Sequence, residues 1–270
     1  MATIIDWAVL FSSRAANREL LPWSDARVLT DSERRLVSKS IQQFQLGEGS
    51  DGSGLIRRGR ASRLAALDAN FLPSLELFIK EEQRHSRHLA RFLQREAVEL
   101  LQQHWVDRVF RHLRKFAGLE LCLRVLVMAE IVAVPYYTAL ACATGSGLLR
   151  CICANVLADE ADHLRFQAEN LKRLQRSRRS LPAMELVFWR CFQLATLLVV
   201  WREHGQVLRA GGYGWNNFRQ ECARLLGHVS NNDFDARGSF TSARVVREQV
   251  QSSNVLTPPS APDTLLAGQE

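Results

Sequence analysis

Two tetrads share one spacing. Glu82-Gln83-Arg84-His85 and Glu160-Ala161-Asp162-His163 each place a carboxylate three residues before an imidazole. On an α-helix, residues three apart point to the same side, so each pair can offer an oxygen and a nitrogen to one metal ion. Both pairs lie on apolar stripes. Phe71, Leu75, Phe78, Leu89 and Phe92 accompany the first; Leu149, Cys153 and Val156 precede the second, and Gln167 follows it. A charged carboxylate buried among such neighbours costs several kcal/mol unless something neutralises it. Glu48, which follows Val37, Ile41 and Phe44, repeats the anomaly, as does Glu130 inside VLVMAEIVAV. Two divalent cations would balance four such carboxylates and leave the centre neutral.

The four glutamates recur at intervals of 34, 48 and 30 residues. About thirty residues make one long helix, a turn and half of the next helix back, and the longer middle interval leaves room for a crossover helix. A glutamate from each of two helices plus a Glu-x-x-His from each of two others is the ligand pattern of di-iron and di-manganese carboxylate bundles. Glu48 has a plainer alternative, a solvated helix end between Gly47 and Gly49. Glu120 competes with Glu130, but a ten-residue offset turns it to a different face. Tyr137, two turns beyond Glu130, is the candidate for a proton or electron donor near the metals; an ordinary core tyrosine is the alternative. His88, one turn beyond His85, could be an extra ligand but reads rather as a partly exposed surface histidine; Pro135 should kink its helix, either to open a channel or for packing.

Positioning these groups takes long helices. Thr30-Asp31-Ser32-Glu33 has the form of a capping box, followed by a helix ended by the glycines from Gly47 onward. Asp68 or Asn70 can cap the next helix, with Pro73 tolerated in its first turn. An amphipathic helix over 98–116 fits the crossover. Core helices follow over 119–143 and 148–176, with Gly145-Ser146-Gly147 as the turn between them. Helices over 183–209 and 215–226 come after. The class is all-α: a four-helix bundle with a crossover helix and extra C-terminal helices. Residues 1–29 read as an irregular lead-in, 30–228 as the helical domain, and the polar, proline-bearing 229–270 as a disordered tail.

The chain has 270 residues, 47% hydrophobic and 23% charged, enough for one buried core and too apolar for wholesale disorder. The net charge of +7 comes almost wholly from arginine, since lysine occurs only at Lys39, Lys80, Lys115 and Lys172. Arg173, Arg176, Arg178 and Arg179 form the densest basic cluster; they suit a helix C-terminus better than a nucleic-acid surface, because no aromatics are interleaved with them. Two apolar stretches, Val125–Ala143 and Leu186–Trp201, carry ionisable groups that a lipid core disfavours and suit a protein core. No leader is read in MATIIDWAVLF, which lacks a basic start. Six cysteines without a CxxC fit buried thiols in a reducing cytoplasm. The expectation is a cytoplasmic protein without a membrane partner; nucleic acid is disfavoured, though the basic charge leaves tRNA open as a substrate, and a homodimer is left open.

The pentads Glu81-Glu82-Gln83-Arg84-His85 and Asp159-Glu160-Ala161-Asp162-His163 resemble the E-E-x-R-H and D-E-x-x-H motifs of soluble acyl-carrier-protein desaturases, and those of rubrerythrins and bacterioferritins, across about residues 31–176. The resemblance to this ferritin-like superfamily implies Glu48, Glu82, His85, Glu130, Glu160 and His163 as metal ligands, with Glu82 and Glu160 bridging. It implies Asp159 as the acceptor that orients a ligand histidine. The cofactor implied is two iron ions, with manganese or a mixed pair also suited to the donors. The activity implied is an oxygen-activating oxidoreductase of hydroxylase, desaturase or N-oxygenase type. It would act on a small or carrier-bound organic substrate and draw electrons from an external donor, since no flavin or nicotinamide motif is present. The alternatives are iron oxidation or metal handling without an organic substrate, and a non-catalytic bundle held by its metals. Arginines along the core helices, Arg84, Arg87, Arg124 and Arg165, suggest an approach favouring anionic or acyl substrates.

Overall fold

The computed structural model describes residues 5–16, 20–106, 108–109, 118–175, 183–231 and 234. Among these every regular element is a helix, and the elements lie in the order α1 (Trp7–Ala16), α2 (Asp31–Glu48), α3 (Ser53–Arg60), α4 (Arg63–Leu67), α5 (Phe71–Arg95), α6 (Leu119–Ala143), α7 (Gly147–Gln175), α8 (Ala183–Ala210) and α9 (Trp215–Asn231). The core is made by α2 packed on α5 and α6 packed on α7, with α5 also against α7. Outside this set, α8 covers α6 and α2, α9 covers α6, and α1 lies on α5.

Local chemistry explains the main boundaries. The Thr30 hydroxyl accepts the Glu33 amide at 3.3 Å and the Glu33 carboxylate accepts the Thr30 amide at 2.9 Å, so α2 starts with a reciprocal cap. Pro73 falls in the first turn of α5, where its missing N–H costs nothing. The stripes of α5 and α7 are buried as their periodicity demands: Leu75, Leu89, Phe92, Leu149 and Cys153 have no exposed surface. Each such large aliphatic or aromatic side chain contributes ~1.5–3 kcal/mol, an upper estimate. α8 closes with paired bonds from Tyr213 N–H to the Leu208 carbonyl (2.8 Å) and from Gly212 N–H to that of Arg209 (3.0 Å). Gly212 sits at φ +92°, a conformation glycine adopts without strain.

Pro135 lies inside α6 and withdraws one backbone donor. The carbonyl that loses it, that of Ile131, is met by the Cys222 thiol of α9 at 3.8 Å. The proline is thus tied to helix packing. By length and composition α6 is the one helix among the described residues fit to cross a membrane, yet 83% of its most apolar window is buried against the rest of the chain.

Three expectations need correction. The lead-in 1–29 is not irregular throughout: Trp7–Ala16 form α1, capped by the Asp6 carboxylate, which accepts the Ala8 and Val9 amides at 3.1 Å each. The crossover segment is not helical over 98–104; residues 105–106 and 108–109 are, and the rest of that expected helix lies outside the described residues. The thiols are not uniformly buried, for Cys142 and Cys191 are exposed. The basic residues Arg176, Arg178 and Arg179 also lie outside the described residues, as does most of the 229–270 tail, although α9 runs to Asn231.

Candidate metal centre

Each helix of the core brings one part of the site. α2 ends on Glu48, α5 carries Glu82 and His85, α6 carries Glu130, and α7 carries Glu160 and His163. Glu82, Glu130, Glu160 and His163 each offer an atom, and these four atoms lie within 4.8 Å of one another. His85 Nδ1 stands just outside, 3.9 Å from Glu82 Oε1 and 3.8 Å from Glu160 Oε1. Glu48 shares a cavity wall with Glu82, Glu130 and Glu160. The rival Glu120 is engaged elsewhere, paired with Arg124 at 3.0 Å.

The six side chains have a common pattern. Each has one buried polar atom with no aligned hydrogen bond among the described residues, namely Glu48 Oε2, Glu82 Oε1, His85 Nδ1, Glu130 Oε2, Glu160 Oε2 and His163 Nδ1, although Glu82 Oε1 and His163 Nδ1 face each other at 2.9 Å as an ion pair. In four of them the other atom is held. Tyr137 donates its hydroxyl to Glu48 Oε1, and the Gln167 amide donates to Glu130 Oε1. His85 Nε2 meets Asp159 at 2.8 Å, and His163 Nε2 meets Glu81 at 3.0 Å. An orphaned buried polar atom costs ~1–3 kcal/mol. Six of them, oxygen and imidazole nitrogen only, fit hard-to-borderline divalent cations.

The two histidine contacts are crossed. The acid before Glu82 orients the histidine of α7, and the acid before Glu160 orients the histidine of α5. Both acids are 2% or less exposed, so their charge needs compensation. Arg84 spans them at 3.3 Å from Glu81 and 3.1 Å from Asp159. Arg14 of α1 reaches the same two at 3.2 Å each and Asp162 at 3.0 Å. These guanidiniums fix the carboxylates that fix the histidines.

Electrostatics divide the cluster: burial opposes a charged Glu82, but His163 and His85 hold it below the usual carboxylate range, while the other carboxylates move up. Burial, with Glu82 alongside, pushes the Glu48 carboxyl well above the usual range; burial and Glu160 do the same to Glu130. Burial also raises Glu160. Burial opposes a charged His163, but Glu160, Glu81 and Glu82 around it outweigh burial and push it well above the ordinary histidine value.

A cavity of about 150 Å³ opens on the cluster. The carboxylates of Glu48, Glu82, Glu130 and Glu160 form one part of its wall, and Phe44, Val125, Leu126, Ala129, Val132 and Val200 make the greater part apolar. Gln43, His104, Thr196 and His204 are its other polar lining residues. No arginine or lysine is among its described lining residues. Arg124 and Arg165 are paired with Glu120 and Glu169, and Arg84 with the orienting acids. The arginine-lined approach expected from the sequence is therefore not this cavity. A second cleft, carrying Arg57, Arg58 and Asp51, reaches Glu48 and Glu82 from another side.

Sequence reasoning missed Arg14, Arg84, Glu81 and Gln167. Glu81 had a visible signal, since it stands before Glu82 as Asp159 stands before Glu160. Gln167 lies one turn after His163 on its apolar stripe, and Asp6 with Trp7 and Phe11 marks the helix that delivers Arg14. Comparison of the chain with protein-family models, with curated proteins and with solved structures finds no match in any of the three.

Proposed function

We propose that this chain is a ferritin-like carboxylate protein of two metals, iron or manganese or one of each, and that it is an oxygen-activating oxidoreductase. Glu48, Glu82, His85, Glu130, Glu160 and His163 would hold the pair, with Asp159 and Glu81 orienting the two histidines. The observation that carries this reading is the convergence of six buried carboxylate and imidazole side chains from four helices, each keeping one buried atom without an aligned hydrogen bond among the described residues. When bound, such a pair supplies the reduction of dioxygen that oxidation of an organic molecule requires. The chain's own residues do the rest. The crossed acid–histidine contacts turn each Nδ1 toward the carboxylates, Tyr137 holds a proton against Glu48, and apolar side chains make most of the cavity wall. Electrons would come from a separate reductase. Six cysteines without a disulfide support a reducing, cytoplasmic setting.

The cavity favours an organic substrate over bulk iron handling, because an iron-oxidising site needs a cation path and no apolar chamber. The second cleft, with its two arginines, is poorly suited to Fe²⁺. The test adds a large excess of Fe²⁺ in air and follows its oxidation. The proposal expects about two irons per chain to be oxidised, then arrest. Continued turnover into a soluble iron core would replace it with a metal-storage role.

A further inference from the structure

The cavity beside the carboxylates has a polar wall that the metal ligands do not explain. Gln43 of α2 is 7% exposed, and its amide nitrogen donates to Glu203 at 3.3 Å. Its Oε1 is buried and has no hydrogen-bond partner among the described residues. Thr196 is 5% exposed and spends its hydroxyl proton on the Phe192 carbonyl at 2.9 Å, so that its oxygen is left with acceptor capacity only. Ser40 donates to the Tyr136 hydroxyl at 3.1 Å and so receives its proton from His204 Nδ1, 2.8 Å away. The neutral imidazole then presents Nε2 as an acceptor. Burial, with His104 and Lys39 nearby, holds His204 down to about 3, which keeps the ring neutral. Gln43, Thr196 and His204 thus each keep an acceptor on a cavity that His104 also lines.

We infer that this wall receives the donor group of the substrate, and that the substrate is a small molecule with an apolar body of about benzene size carrying an amine or hydroxyl N–H or O–H. The inference rests on the reading of the site as an organic oxidase and names its substrate class. The space of about 150 Å³ equals that of a cavity able to hold benzene, which sets the size. Buried Gln43 Oε1 sets the polarity, since an acceptor left unmatched is costly and a donor-bearing guest removes that cost. Gln43 precedes Glu48 by five residues, about 7.5 Å along α2. The four carboxylates line the same cavity, so a guest anchored at Gln43 lies beside them. A carboxylate or phosphate would find no arginine or lysine among the described lining.

The test is equilibrium binding of aniline and of toluene, a pair of one shape differing in the donor, to the full-length chain and to its Gln43→Leu and Gln43→Met variants. Circular dichroism checks the helix content of each variant. Loss of the acceptor should lower the aniline-to-toluene affinity ratio roughly tenfold in both variants. In the unsubstituted chain, a crystal of the aniline complex should place the amine ~3 Å from Gln43 Oε1. A ratio indifferent to both substitutions, an amine seated elsewhere, or binding of neither guest would overturn the inference. Binding needs no turnover, so the outcomes separate. If metal loading fails while the Gln43-dependent preference stands, the oxidase reading falls and the guest site remains. If metal loads and the ratio does not depend on Gln43, this inference alone falls.

Discussion

Asp159 and Glu81 control the site without facing it. Each is nearly inaccessible, each accepts from the Nε2 of a histidine on the opposite helix, and each is braced by Arg84 and by Arg14. Replacing either by its amide keeps the shape and removes the charge. That weakens the pull on the imidazole and lowers the negative potential of the centre, so both effects act in one direction. Asp159→Asn and Glu81→Gln should each weaken metal affinity by about tenfold, read from a metal titration with helix content unchanged. An affinity equal to that of the unsubstituted chain would show that these contacts only fill space. The sequence made Asp159 legible because a carboxylate beside a Glu-x-x-His is a recognisable partner. It could not show which histidine Asp159 meets, because residue spacing describes one helix and the contact crosses between two. Arg14 was beyond reach for the same reason: it lies 67 residues before Glu81 in the chain, and only the docking of α1 on α5 brings the two together.

At the scale of elements, two glycines test the packing in opposite senses. A Cβ on Gly211 would stand 2.3 Å from the Ala139 α-carbon and carbonyl oxygen, which are backbone atoms of α6 and cannot turn aside. Gly211→Ala must push the end of α8 off α6 and should cost about 3 kcal/mol. Gly227, inside α9, has nothing within 4 Å of the same position, so Gly227→Ala should stabilise by ~0.5–1 kcal/mol through helix propensity. Denaturant unfolding of both variants checks the pair; two losses of equal size would mean that α8 does not approach α6 as described. Helices α2, α5, α6 and α7 were readable because cap, proline, glycine and apolar period agree along each of them. The short α3 and α4 were not, since five to eight residues cannot display a period, and the glycine- and arginine-rich sequence of α3 resembles a loop. The start of the crossover was misplaced because 98–104 carries an amphipathic pattern without helical backbone.

For the whole molecule, the apolar period along each helix pointed to a buried core, and the buried carboxylates pointed to where that core is interrupted. The cavity could not be read in advance. It exists where α2, α6 and α8 fail to close over Glu48 and Glu130, and volume is a property of the assembled helices rather than of any one stripe. The account depends on one claim, that six side chains from four helices are arranged around two metal ions. Metal analysis of the chain purified after aerobic expression in iron-supplemented medium tests it, together with the Glu82→Ala and Glu160→Ala variants. The account predicts about two metals per unsubstituted chain, and loss of at least one in each variant, because no apolar neighbour can replace the missing charge. Metal below about 0.2 per unsubstituted chain, or two metals retained with unchanged spectra in both variants, would contradict it.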